Sequence, residues 1–167
     1  MEYSESRKFS PIAAKRTFRG DDKLVWETIS ASGGLVNYHP FCAENPVEHW
    51  PGPNSSDRIV YLSGMTFERT FFEWHEGSGY ALRLSLGERA IAEVRWNVHD
   101  GLAIEVTPLL PVDMSDQEAQ THLGRYFGDG LVTYLHCILK GVEHWLETGE
   151  PVRPNQFGCV RGYSAQS

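Results

Sequence analysis

The sequence predicts an α+β fold in which a curved antiparallel sheet of about seven strands wraps around one long C-terminal helix, with two short helices after the first strand. Three observations predict it. Residues 41–110 form a series of β-branched and aromatic segments divided by short turns. Several of those segments alternate apolar and polar residues, so the sheet has one apolar face. The chain then changes to apolar residues at helical spacing, and a sheet with one apolar face needs such a cover.

The first strand spans about Lys8–Phe18, and Pro11 places it at an edge or makes it bulge near its start. After Gly20, Asp21 and Asp22 are N-cap residues for a short helix of about two turns through Ile29. Ser32-Gly33-Gly34 breaks that helix. Leu35–Tyr38 forms a second short helical segment, and Pro40 disfavours helix at the residue before it. Strands follow near Ala43–Trp50, Arg58–Ser63, Thr66–His75, Gly79–Leu86, Ala90–Val98 and Leu102–Leu109, with Pro51–Asp57 the longest turn between them. Such short connections require antiparallel neighbours. Asp100-Gly101 is the strongest hairpin signal. Alternation puts Tyr80, Leu82, Leu84 and Leu86 on one face, as it does Ala90, Ala92, Val94, Trp96 and Val98, and then Leu102, Ile104, Val106 and Pro108.

Ser115 and Glu118 form a capping box at the start of the final helix. Apolar residues recur at helical spacing from Leu123 through Phe127, Leu131, Leu135, Ile138 and Val142 to Leu146, and Gly149 stands at the C-cap. A straight helix of about 33 residues would be roughly 50 Å long, whereas an eight-residue strand spans roughly 27 Å. The helix is therefore expected to kink or break near Gly128-Asp129-Gly130, leaving Leu131–Glu147 as the packed part.

Composition excludes several classes. The chain has 167 residues, 41% of them hydrophobic, enough for one domain with its own core. A formal net charge of −7 and the lack of a basic run argue against nucleic acid and against anionic membrane surfaces. No apolar run is long enough to insert in a membrane, and Met1–Ser10 lacks the apolar core of a signal peptide. Cys42, Cys137 and Cys159 are widely spaced and odd in number, which predicts mostly buried, reduced thiols in a cytoplasmic protein.

The order of strand, two short helices, six-strand meander and long helix resembles the START-like, or SRPBCC, superfamily, which includes pollen-allergen-like proteins, aromatic polyketide cyclases and lipid-transport proteins. Val25-Trp26 with Ile29, His39-Pro40-Phe41, Gly64 with Glu68-Arg69, and Gly141 look like the cyclase and lipid-transport branch. The resemblance covers nearly the whole chain. It implies a helix-grip fold for a single domain over residues 1–167, with a cavity between the sheet's concave face and the long helix. It also implies an apolar small-molecule ligand there (lipid, polyketide or aromatic compound) and no cofactor. Some relatives cyclise or dehydrate in that cavity and many only bind, while a regulatory protein-interaction module is a third reading. A homodimer is compatible with all three. Residues 152–167 depart from the pattern as a tail whose Phe157 and Tyr163 suggest packing on the domain.

Within that architecture the ligand-contacting candidates are Phe41, Phe67, Tyr80 and Trp96 from the first half, and Tyr126, Gly130 and Tyr134 from the long helix. The last three share one helical stripe, where a glycine between two tyrosines leaves room for a ligand or permits a close helix–sheet approach. His39 and Arg69 are the catalytic candidates. His39 is either a surface or capping histidine or a general acid–base. Arg69 shares a face with Phe67 and Phe71, so it either joins the charged solvated face of Glu68, Glu73, Arg83, Glu93 and Arg95 or points inward to a buried partner or ligand. No metal site is expected: His136 and His144 lie eight apart on one helix, with Lys140 between them.

Overall fold

Pro11 divides the first strand. In the computed structural model, which describes residues 6–165, β1 (Ser6–Lys8) and β2 (Ile12–Thr17) flank the proline, and both pair with the last strand. Asp21 caps α1 (Asp22–Ile29) by accepting a hydrogen bond from the Lys23 N–H, and α2 (Leu35–Tyr38) follows. The expected strand at Ala43–Trp50 is two pieces, β3 (Cys42–Glu44) and β4 (Val47–His49), interrupted at Asn45-Pro46. The proline supplies no ladder donor, and the Asn45 side chain bonds across the gap to Asp57 and to the Arg58 carbonyl. The meander continues with β5 (Ser56–Tyr61), β6 (Thr66–His75), β7 (Gly79–Leu86), β8 (Arg89–Val98) and β9 (Gly101–Pro111). Among the described residues the sheet thus has nine strands, because the first two expected strands each divide. Its order is β1-β9-β8-β7-β6-β5-β3, with β2 also on β9 and β4 on β5, every pair antiparallel.

One register shift corrects the face assignment. Leu84 pairs with Ala92, but Ser85 pairs with Ala90. The bulge at Ile91 turns Ala90 off the face shared by Ala92, Val94 and Trp96. Asp57, expected in a turn, is a strand residue directly opposite Arg69.

The long helical segment breaks where the glycines cluster. Ser115 caps α3 (Asp116–Tyr126) by accepting from the Glu118 N–H, and α4 (Asp129–Thr148) starts after Gly128. Gly149 ends α4 in the left-handed conformation, φ 68°. The apolar stripe of α4, Leu131, Leu135, Ile138 and Val142, is buried and belongs to the hydrophobic core. Gly141 lets α4 approach α2 closely, since a Cβ there would strike the Tyr38 carbonyl oxygen. Glu143 of α4 also holds β2 by accepting two hydrogen bonds from Arg16, at 2.9 and 3.2 Å.

An aromatic layer fills the core beside α1. Trp50 meets Trp74 edge-on at 5.3 Å, Trp74 meets Trp26 at 5.4 Å, and Tyr80 lies 5.6 Å from Trp74 and 5.8 Å from Trp96. The tail also contacts the core: Val160 is buried, and Phe157 and Tyr163 pack against buried side chains. Among the described residues no helix is long and apolar enough to cross a membrane.

Candidate functional site

The break between α3 and α4 leaves a space that neither helix fills. A cavity of about 970 Å³ lies between the concave sheet, both helices and the tail. This is at the upper end of the usual size of small-molecule sites. Ile59, Leu82, Val94, Ile104 and Val106 line the sheet side, while Leu131, Leu135 and Ile138 line the helix side. Leu86 and Tyr126 border the cavity while 52% and 55% exposed, which marks its open side. Its buried polar residues, His39, Tyr61 and Arg69, mark the closed side.

Of the ligand-contacting candidates, Phe67, Trp96, Tyr126, Gly130 and Tyr134 line the cavity. Phe41 and Tyr80 stand behind the wall. Phe41 stacks on Tyr134 at 5.6 Å, and the Tyr80 hydroxyl donates to the Ile29 carbonyl at 3.0 Å. A Cβ on Gly130 would meet nothing within 4 Å, so this glycine opens space, and the close approach belongs to Gly141.

His39 is buried, 2% exposed. Its Nδ1 accepts from the Phe41 N–H at 3.3 Å, and its Nε2 lies 2.9 Å from the Tyr134 hydroxyl. Burial, reinforced by the nearby Arg69 charge, pushes its pKa down to about 3. The ring is therefore neutral at ordinary pH, neither a surface histidine nor one poised to exchange protons near neutrality. The Tyr134 hydroxyl also lies 2.8 Å from that of Tyr61. Burial raises both phenol pKa values, so both groups remain protonated.

Arg69 points inward. Its Nε and Nη2 donate to the two Asp57 carboxylate oxygens at 2.7 and 2.6 Å, and Asn45 donates to the same carboxylate at 3.0 Å. Burial alone would lower the arginine pKa, but the Asp57 charge and hydrogen bonds reverse this and raise it. The other charged candidates keep to the solvated face, where Arg95 pairs with Glu73 at 2.6 Å and Arg83 with Glu93 at 3.4 Å. Hydrogen bonds from Arg95 and then His75 hold the Glu73 carboxyl down at about 2.

Cys137 is buried, with burial raising its pKa, and burial pushes the Cys42 thiol up to about 12, but Cys159 is exposed. Among the described residues no group of three or more His, Cys, Asp and Glu could hold a metal ion.

Three participants escaped sequence reasoning: Asp57, Tyr61 and the site role of Tyr163. Asp57, Ile59 and Tyr61 alternate onto one face of β5, and starting that strand at Ser56 would have exposed the pattern. Tyr163 stacks on Tyr134 at 4.1 Å and lies 5.0 Å from Tyr61, a tail contact that no spacing encodes.

No protein-family model matches the chain, and no curated protein matches it. Solved structures do match. DynU16, from the dynemicin biosynthetic locus, is 16% identical with a TM-score of 0.58, over 86% of this chain and 49% of that one. The chain thus spans about half the length of DynU16. Major latex-like protein 151 from Panax ginseng is 9% identical with a TM-score of 0.57, over 80% and 94%. The Zhui aromatase/cyclase from Streptomyces sp. R1128 is 13% identical with a TM-score of 0.56, over 86% and 99%. At these identities the likeness is one of fold.

Proposed function

We propose that this chain, which has the helix-grip fold of the START-like, or SRPBCC, proteins, binds an apolar small molecule, a lipid, polyketide or aromatic compound, in the cavity between its sheet and its helices. The observation that carries this reading is a cavity of about 970 Å³ whose sheet and α4 walls are mostly apolar, with the buried polar residues His39, Tyr61, Arg69 and Tyr134 at the closed side and the charged lining residues Arg89, Glu118 and Arg125 exposed at its border. Burying an apolar ligand there would release it and the wall from water at about 25 cal/mol per Å². His39 and Arg69 are structural supports in this reading. The histidine is held neutral and the arginine is neutralised by Asp57, so neither is placed to run the acid–base chemistry of a cyclase or dehydratase.

Native mass spectrometry of the purified protein, followed by denaturing extraction, should reveal an apolar species bound one to one. For an apo protein, a thermal-shift screen of lipids and aromatic polyketides is the matching test. A ligand at a hundred times its Kd stabilises by about 2.7 kcal/mol, roughly 5–10 °C for a domain of this size. If no apolar compound co-purifies and none moves the midpoint, the cavity is not a ligand site.

A further inference from the structure

Three groups at the closed side of the cavity carry more protons than their contacts use. The Phe41 N–H donates to His39 Nδ1, so the single proton of the neutral ring sits on Nε2. Nε2–H, the Tyr134 hydroxyl and the Tyr61 hydroxyl therefore hold three protons. Only two contacts join them, at 2.9 and 2.8 Å. One proton is left over, and no further hydrogen bond joins either hydroxyl among the described residues. Hydrogen bonds in a chain strengthen one another when they run in one direction. His39 then donates to Tyr134 and Tyr134 to Tyr61, which leaves the free O–H on Tyr61.

Resting on the reading of this cavity as a ligand site, we propose that the Tyr61 hydroxyl donates to a neutral acceptor oxygen of the ligand, a ketone, quinone or ester carbonyl, and so orients it at the closed side. A carboxylate fits less well. The Arg69 charge nearby is already matched by Asp57 in a bidentate pair, and a second buried anion would have no counter-charge. The sheet wall beyond it, Ile59, Leu82, Val94, Ile104 and Val106, is apolar and gives affinity without direction, while the charged lining residues Arg89, Glu118 and Arg125 are exposed at the border. The ligand class is thus an apolar body with a carbonyl at one end.

Fluorene and 9-fluorenone share one tricyclic frame and differ by a methylene in place of the carbonyl. Equilibrium dialysis of both against the full chain and its Tyr61→Phe variant, with the infrared carbonyl stretch of bound ¹³C-labelled fluorenone, tests the proposal. Tyr61→Phe should weaken fluorenone by up to about tenfold, the worth of one neutral hydrogen bond, and leave fluorene within about twofold. The bound carbonyl stretch should lie below its value in hydrocarbon solvent in the natural chain and return toward that value in the variant. A stretch at the hydrocarbon value in the natural chain overturns the proposal whatever the variant does. So does an unchanged fluorenone affinity in a variant that still binds fluorene. If neither compound binds the natural chain, this inference is overturned, while the reading of the cavity as a ligand site stands or falls separately on co-purification and the thermal-shift screen.

Discussion

Arg69→Met removes the two charge-assisted hydrogen bonds that hold Asp57, at 2.7 and 2.6 Å, and leaves a carboxylate whose side chain is 1% exposed with the Asn45 amide as its hydrogen-bond donor. Breaking a buried ion pair from one side costs about 3–5 kcal/mol, against about 5–15 kcal/mol for a typical domain. At roughly 2–4 °C per kcal/mol for a chain of this length, the midpoint should fall by about 6–20 °C. Asp57→Leu should cost a comparable amount by stranding the guanidinium. The double variant, with two apolar side chains facing across β5 and β6, should recover most of the loss, because the desolvation penalty of both charges goes with them. Thermal and urea unfolding followed by circular dichroism, closed into a double-mutant cycle, reads the coupling. If each single variant loses less than about 1 kcal/mol, the pair behaves like an exposed one and its burial is not what shapes this end of the sheet.

His39 should make stability depend on pH. Its folded pKa is depressed to about 3, while an unfolded histidine titrates near 6.5. The unfolded chain therefore binds the proton first, and stability falls as pH drops below about 6.5, by about 1.4 kcal/mol per unit, until about pH 3. His39→Gln should flatten unfolding free energy over that window, and a slope equal to the natural chain's would contradict the assignment. The helical glycines should respond in opposite directions. Gly141→Ala, whose Cβ would strike the Tyr38 carbonyl oxygen and press on Pro40, should cost about 2 kcal/mol or more. Gly124→Ala meets nothing within 4 Å and should gain up to about 1 kcal/mol; melting curves that rank the two the other way would refute the packing argument. Tyr163→Ala loses its stack on Tyr134 and should cost about 2 kcal/mol. Amide exchange at Ser63, whose N–H donates to the Tyr163 carbonyl, should quicken with it.

Elements with punctuation at both ends were legible as written. Leu35–Tyr38 lies between Gly34 and Pro40, Thr66–His75 and Gly79–Leu86 meet across a Gly-containing turn, and Gly149 closes the last helix. What failed was where one residue inverts a pattern. Ile91 bulges out of step and reverses Ala90, and Asn45-Pro46 splits a strand that reads as continuous. Alternation also identifies a face without its depth. Phe67 and Trp96 reach the cavity wall, whereas Phe41 and Tyr80 lie one layer behind it. Arg69 was flagged by its apolar neighbours, but its partner was hidden in an apparent turn. The contact between His39 and Tyr134 spans 95 residues of sequence, and only the folded chain brings that pair together.

The aromatic layer beside α1 gives the molecule an optical consequence. Trp50, Trp74 and Trp26 stand in ring contact, and Tyr80 links them toward Trp96, which borders the cavity. Excitation absorbed at any of these indoles can migrate among them before it is emitted. A chromophoric guest seated against Trp96 would drain light from the whole cluster rather than from one ring. If the cavity holds such a guest, the protein's own ultraviolet emission would report its occupancy without a label.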